Sequence, residues 1–201
     1  LQGLSPANGG AAIDLGTVTR TVGDPDYDIT NDQNIDLDAF DKVGKTSFGD
    51  IDLSEDESTL WLVNLNQRAL ISVDVSGPVG SLPGTVNQYL ISSLPGAPSC
   101  TNGVLRPWGL KIYNGRGYLG CVCTAENGGT QANMTAYVLS FDPNNVAGGF
   151  TTAISFPLNY TREAVGGGGP GAWQTWVSTW QPGMNGQNRR YGQPLVGDIE
   201  F

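Results

Sequence analysis

Hydrophobic and polar positions alternate along this chain in short runs separated by turns, and long helical stripes are rare. Trp61, Val63 and Leu65 alternate with Leu60, Leu62 and Asn64, so residues 59–65 read as a strand with apolar side chains on both faces. Comparable runs fall at 48–53, 69–75 and 86–94, and again at 109–113, 117–123, 135–141 and 151–158. Between them lie Ser54-Glu55-Asp56-Glu57-Ser58, Asn114-Gly115-Arg116-Gly117 and a Pro/Gly-rich loop at 77–84. Residues 11–15 and 18–22 predict earlier strand. One segment has helical spacing instead: Trp173, Trp176 and Trp180 recur at i, i+3 and i+7, which predicts a single short helix over 172–180.

A repeated opening organises these runs. A small-residue entry leads into a short strand in Gly49-Asp50-Ile51-Asp52-Leu53, in Trp108-Gly109-Leu110-Lys111-Ile112 and in Gly197-Asp198-Ile199-Glu200-Phe201, so Ile51, Leu110 and Ile199 hold matching places. A recurring inner strand followed by further short strands, apolar on both faces, is the pattern of a propeller blade. The expected fold is all-β: a β-propeller with two complete four-stranded blades plus partial blades at each end, occupying residues 1–201 and belonging to a larger ring. Residues 161–194 read as a Gly/Trp-rich insertion within it, whose glycine run at 166–169 lacks the lysine of a phosphate loop. Open blade faces and unpaired edges predict that further chain, or another subunit, completes the ring.

Composition narrows the chemistry. Nineteen acidic residues against ten basic ones give a net charge of -9, which opposes binding to nucleic acid or to an anionic membrane surface. No apolar run is long enough to insert through a bilayer. Residues 1–12 lack the charged start and apolar stretch of a signal peptide, so a targeting segment is expected to be absent or already removed. The chain has no histidine, so neither a Ser-His-Asp nor a Cys-His arrangement assembles, and zinc loses its commonest ligand. Of the three cysteines, Cys121 and Cys123 sit two apart on one strand face, where only one easily reaches Cys100. A Cys100–Cys123 bridge with Cys121 buried and free is the favoured reading; three reduced, buried thiols is the other. The sequons Asn133-Met134-Thr135 and Asn159-Tyr160-Thr161 are compatible with secretion and also with chance.

Three groups carry candidate chemistry. Asp24, Asp26, Asp28, Asp32 and Asp36, with Asn31, Asn34 and Asp38 nearby, supply hard oxygens suited to Ca²⁺, though without EF-hand spacing, and a solvated acidic loop is the plainer reading. Asp50 and Asp52 share one face of an inner strand, as do Asp198 and Glu200, and inner strands line a propeller channel. Such carboxylates bind a metal or act as an acid/base pair, or they form an ion pair or hydrogen bond between blades, since Lys111 matches position 52. Trp173, Trp176 and Trp180, with Tyr191, form a possible glycan platform or cover a core. Arg189-Arg190 is too short for a basic patch.

The order of Val43-Gly44-Lys45-Thr46-Ser47-Phe48-Gly49-Asp50-Ile51-Asp52-Leu53-Ser54, Leu60-Trp61-Leu62-Val63-Asn64-Leu65, Arg106-Pro107-Trp108-Gly109-Leu110-Lys111, Val122-Cys123-Thr124-Ala125-Glu126, the Trp-rich insertion and Gly197-Asp198-Ile199-Glu200-Phe201 resembles the propeller regions of secreted or surface-anchored bacterial multimodular proteins, which carry immunoglobulin-like repeat modules downstream. The resemblance implies an adhesive or architectural module at the cell surface, with no reaction to carry over. A blade turn of this type usually contains Asp-Gly, whereas Glu57 follows Asp56 here. The leading expectation is a structural or adhesive module, calcium-stabilised if the acidic segment binds, that meets a protein or glycan ligand. The alternatives are a metal-dependent hydrolase or lactonase with channel carboxylates, and a carbohydrate-binding module using the tryptophans.

Overall fold

In the computed structural model the described residues are 1–17, 37–162, 171–179 and 192–201. The alternating runs form strands that pair with their sequence neighbours, as short turns require. The first sheet holds β1 (Phe48–Leu53), β2 (Thr59–Asn64), β3 (Ala69–Asp74) and β4 (Val86–Leu90) in that order, all antiparallel. The second holds β5 (Leu105–Tyr113), β6 (Arg116–Cys123), β7 (Thr135–Phe141) and β8 (Phe150–Pro157) in the same meander. A small ladder pairs β9 (Thr161–Arg162) with β10 (Gly171–Ala172).

The repeat extends to register. Ile51 lies opposite Leu62 and Leu110 opposite Leu119, and each first strand bulges just before that pair, between Phe48 and Ile51 and between Pro107 and Leu110. A bulge turns a strand locally, so both first strands bend at the same step. Their hairpins differ. Asn114 and Gly115, at φ 50° and 71°, form the two-residue loop between paired Tyr113 and Arg116, with the positive φ at both positions of a type I′ turn. The β1–β2 turn puts Glu57 at φ 59°, and its amide donates to the Ser54 carbonyl at 2.8 Å. Asp56 accepts the hydroxyls of Ser54 and Ser58 and the Ser58 amide, which hold its carboxyl down to about 2.

Both faces of each sheet are apolar, and three clusters cover them. The largest joins the sheets, with Trp61, Val63 and Leu65 of the β2 region and Leu110, Ile112, Leu119 and Cys121 of β5 and β6. On the far side of sheet one, Ile13 covers Leu62, Ile71 and Val73. On the far side of sheet two, Val122, Ala136 and Leu158 pack with Trp173 and Val196.

Several expectations are corrected. Residues 172–179 do not form the expected helix, and Trp180 lies outside the described residues. Among the described residues, Gly171 and Ala172 are strand, Trp173 bridges to Gly192, and 174–179 carry no helix. The β-branched Thr175, Val177 and Thr179 and the partner at β9 outweigh the tryptophan spacing. Residues 11–15 are not strand either. They follow a line of side-chain contacts, in which Gln88 and Gln67 donate to the carbonyls of Ala11 and Ala12 and Asn64 donates to that of Asp14. Residues 197–201 form no strand among the described residues, β4 ends at Leu90 in a 3-10 turn, and β5 begins earlier than expected. A short helix at Leu37–Phe40 was not foreseen.

Candidate functional site

β1 and β5 are the first strands of their sheets, and each leaves a row of amides that pairs with no strand among the described residues. Unpaired edge amides are a template for unwanted association unless something covers them. Here carboxylates cover them. Asp50 Oδ1 accepts the amide of Ile51 at 2.8 Å, and Asp50 Oδ2 accepts that of Leu110 at 2.9 Å. Asp52 repeats the arrangement, with Oδ1 on the Leu53 amide at 3.0 Å and Oδ2 on the Ile112 amide at 2.6 Å. Each aspartate therefore links its own strand to the next one, and period-2 spacing keeps the two links in step. The β1–β2 turn adds a third: the Glu55 oxygens accept the amides of Asn114 and Gly115 at 2.7 and 3.0 Å.

Glycine suits the close approach of the two backbones. A Cβ on Gly49 would lie 3.0 Å from the Trp108 carbonyl oxygen, a tight contact that β5 could relieve only by giving way a few tenths of an ångström. Lys111 sets its Nζ 3.9 Å from Asp52 Oδ2, the inter-sheet ion pair foreseen from the matched positions, and the partial exposure of both keeps it weak.

A second polar cluster sits at the other end of β5. Arg106 grips Glu126 through Nε and Nη2, at 2.7 and 2.6 Å, and Thr124 donates its hydroxyl to the same carboxylate at 2.8 Å. Burial pushes the Glu126 carboxyl upward, but the Arg106 bonds and charge and the Thr124 hydroxyl outweigh it and hold the group below the usual carboxylate range. Arg106 also lies over the Trp176 ring, 5.4 Å from its centroid. Beside this cluster is a cleft of about 250 Å³ lined by Phe40, Val43, Lys45, Trp176, Val177, Gln193 and Leu195. Its charged wall residue, Lys45, donates to Ser178 Oγ at 2.9 Å, and burial followed by the Arg106 charge lowers its pKa.

The other sequence candidates fall as follows. Cys100 and Cys123 form a disulfide and Cys121 is buried and free, its thiol pushed up by burial. Asp24, Asp26, Asp28, Asp32 and Asp36 lie outside the described residues, as do Trp180, Tyr191, Arg189 and Arg190. Among the described residues no group of three or more Cys, Asp or Glu is placed to hold a metal ion. Trp173 and Trp176 are not side by side on an open surface. Trp173 packs edge-on to Tyr160 with Arg162 over its ring, while Trp176 is buried and donates its indole N–H to the Pro194 carbonyl at 2.8 Å. Asp198 and Glu200 are exposed.

Sequence reasoning missed Glu55 and the Arg106–Glu126 pair. A third acid soon after Asp50 and Asp52, facing an Asn-Gly turn one repeat on, was the available signal for Glu55. Nothing in local spacing marks Arg106 and Glu126, which meet only because β5 and the segment after β6 lie side by side. No family model, curated protein or solved structure matches the chain.

Proposed function

We propose that this chain is a structural or adhesive β-propeller module of a secreted or cell-surface protein, acting through protein or glycan contacts without catalysis. The observation that carries the reading is the carboxylate link between β1 and β5: two meander sheets with the same bulge, joined inner strand to inner strand, as neighbouring blades are. The link also gives Asp50 and Asp52 a structural task, since both oxygens of each accept amides. The disulfide is consistent with an oxidising compartment. No helix among the described residues is long and apolar enough to cross a membrane. The resemblance to surface-anchored bacterial propeller regions points the same way, and any calcium site in the acidic segment would add stability rather than turnover.

A paired assay tests the reading. Chain coupled to beads is expected to retain them on protein- or glycan-coated surfaces, and soluble chain to leave lactone and phosphoester substrates unchanged with millimolar calcium present. Turnover that Asp50→Asn abolishes while the fold persists would overturn the proposal in favour of a channel-carboxylate hydrolase.

A further inference from the structure

The acid pattern of β1 recurs at residues 198–200, with one half of its bonds unmade. Asp198 Oδ1 accepts the amide of Ile199 at 2.8 Å, the same contact that Asp50 Oδ1 makes to Ile51. The segment lies against sheet two: the Gly109 amide donates to the Val196 carbonyl at 2.9 Å, a Cβ on Gly109 would lie 3.2 Å from the Asp198 nitrogen, and the Phe201 ring stacks on Tyr113. Residues 196–201 thus follow β5 as β5 follows β1. In β1 the second oxygen of each aspartate takes an amide of the following strand. Among the described residues, Asp198 Oδ2 and the Glu200 carboxylate have no hydrogen-bond partner, and both residues are exposed.

Resting on the propeller reading, we propose that the acid face at 198–200 docks the inner strand of a further blade, one that presents uncapped amides and a basic residue. β5 is the pattern for that strand, because Gly109 and Lys111 leave the Leu110 and Ile112 amides free for carboxylates from the neighbour. Charge selects against a second copy of this chain. The β1 of a second copy would bring Asp50 and Asp52, which already hold their own Ile51 and Leu53 amides, against Asp198 and Glu200.

The test uses the full chain labelled with ¹⁵N and a nine-residue peptide of the β5 sequence, Leu-Arg-Pro-Trp-Gly-Leu-Lys-Ile-Tyr. Amide shifts at 197–201 are expected to move and saturate at millimolar peptide. The Asp198→Asn/Glu200→Gln variant should bind at least about tenfold more weakly, as loss of hydrogen bonds to charged acceptors implies, and a peptide with glutamate in place of lysine should not bind. Shifts that are absent, or unchanged in the double variant, overturn the proposal. So does concentration-dependent broadening of the same amides without peptide, which would make a second copy the occupant. If Asp50→Ala also leaves the Leu110 amide unaffected, the blade reading itself falls; if that effect stands, only the docking claim does.

Discussion

β1 and β5 hold the same place in their sheets and bulge at the same step, yet they meet their surroundings in opposite ways. β1 carries aspartate at the two positions where β5 carries glycine and lysine, so one strand gives carboxylates and the other receives them. Burial is reversed as well: Leu110 is 2% exposed, whereas the matching Ile51 is 53% exposed. The difference teaches that the repeat conserves backbone geometry and apolar spacing, while the polar positions are assigned by which neighbour each strand has. The sheets' far edges diverge too. The edge of β4 is met by residues 7–11, where the Ala7 amide donates to the Val86 carbonyl, while β8 past Phe150 stays exposed along its length.

The largest effects should separate the two strands. Leu110→Ala is expected to cost about 2–5 kcal/mol in denaturant unfolding, and Ile51→Ala, at the matching but open position, less than about 1 kcal/mol. Equal costs would break the comparison. Reducing the Cys100–Cys123 disulfide, which closes a loop within sheet two's half only, should remove about 3 kcal/mol from chain entropy; an unchanged urea midpoint after reduction would count against it. Asp50→Ala and Asp52→Ala should each cost about 1–2 kcal/mol, since each loses charged hydrogen bonds at a partly exposed site.

A pH titration sharpens the polar contrast. The Glu126 carboxyl ionises below its ordinary range in the folded chain, so its stabilisation is complete above the unfolded carboxylate range and is lost as pH falls through the folded pKa. The stability gap between wild type and Glu126→Gln should therefore narrow on acidification and hold level near neutrality, read from melting temperatures across pH. A gap that widens in acid would reverse the assigned sign. The smallest effect belongs to Lys111→Ala, expected to change stability by under about 1 kcal/mol because its ion pair is open to solvent.

The strands of both sheets were legible because local alternation and turn residues specify them, and the Asn114-Gly115 turn has the backbone its residues favour. The cysteine pairing was legible because strand geometry limits which thiol reaches Cys100. The Trp-rich segment was misread since periodicity reports which side chains share a face only if the backbone is helical, and β-branched neighbours with a strand partner decided otherwise. Residues 11–15 alternate like a strand but are held by glutamine and asparagine side chains, a contact no local pattern displays. For the candidate site, Asp50, Asp52 and Lys111 were visible as a set through the repeat, and so was a link by ion pair or hydrogen bond to the neighbouring strand. Which amides the carboxylates hold was not, because that depends on the register of a strand far along the chain.

Amide hydrogen exchange at Leu110 and Ile112 tests the carboxylate link most directly. In the wild-type chain both amides should be protected although they face away from β6, and Asp50→Ala should release Leu110 while Ile112, held by Asp52, stays slow. Fast exchange of both amides in the wild type, or protection of Leu110 that survives the loss of Asp50, would contradict the account.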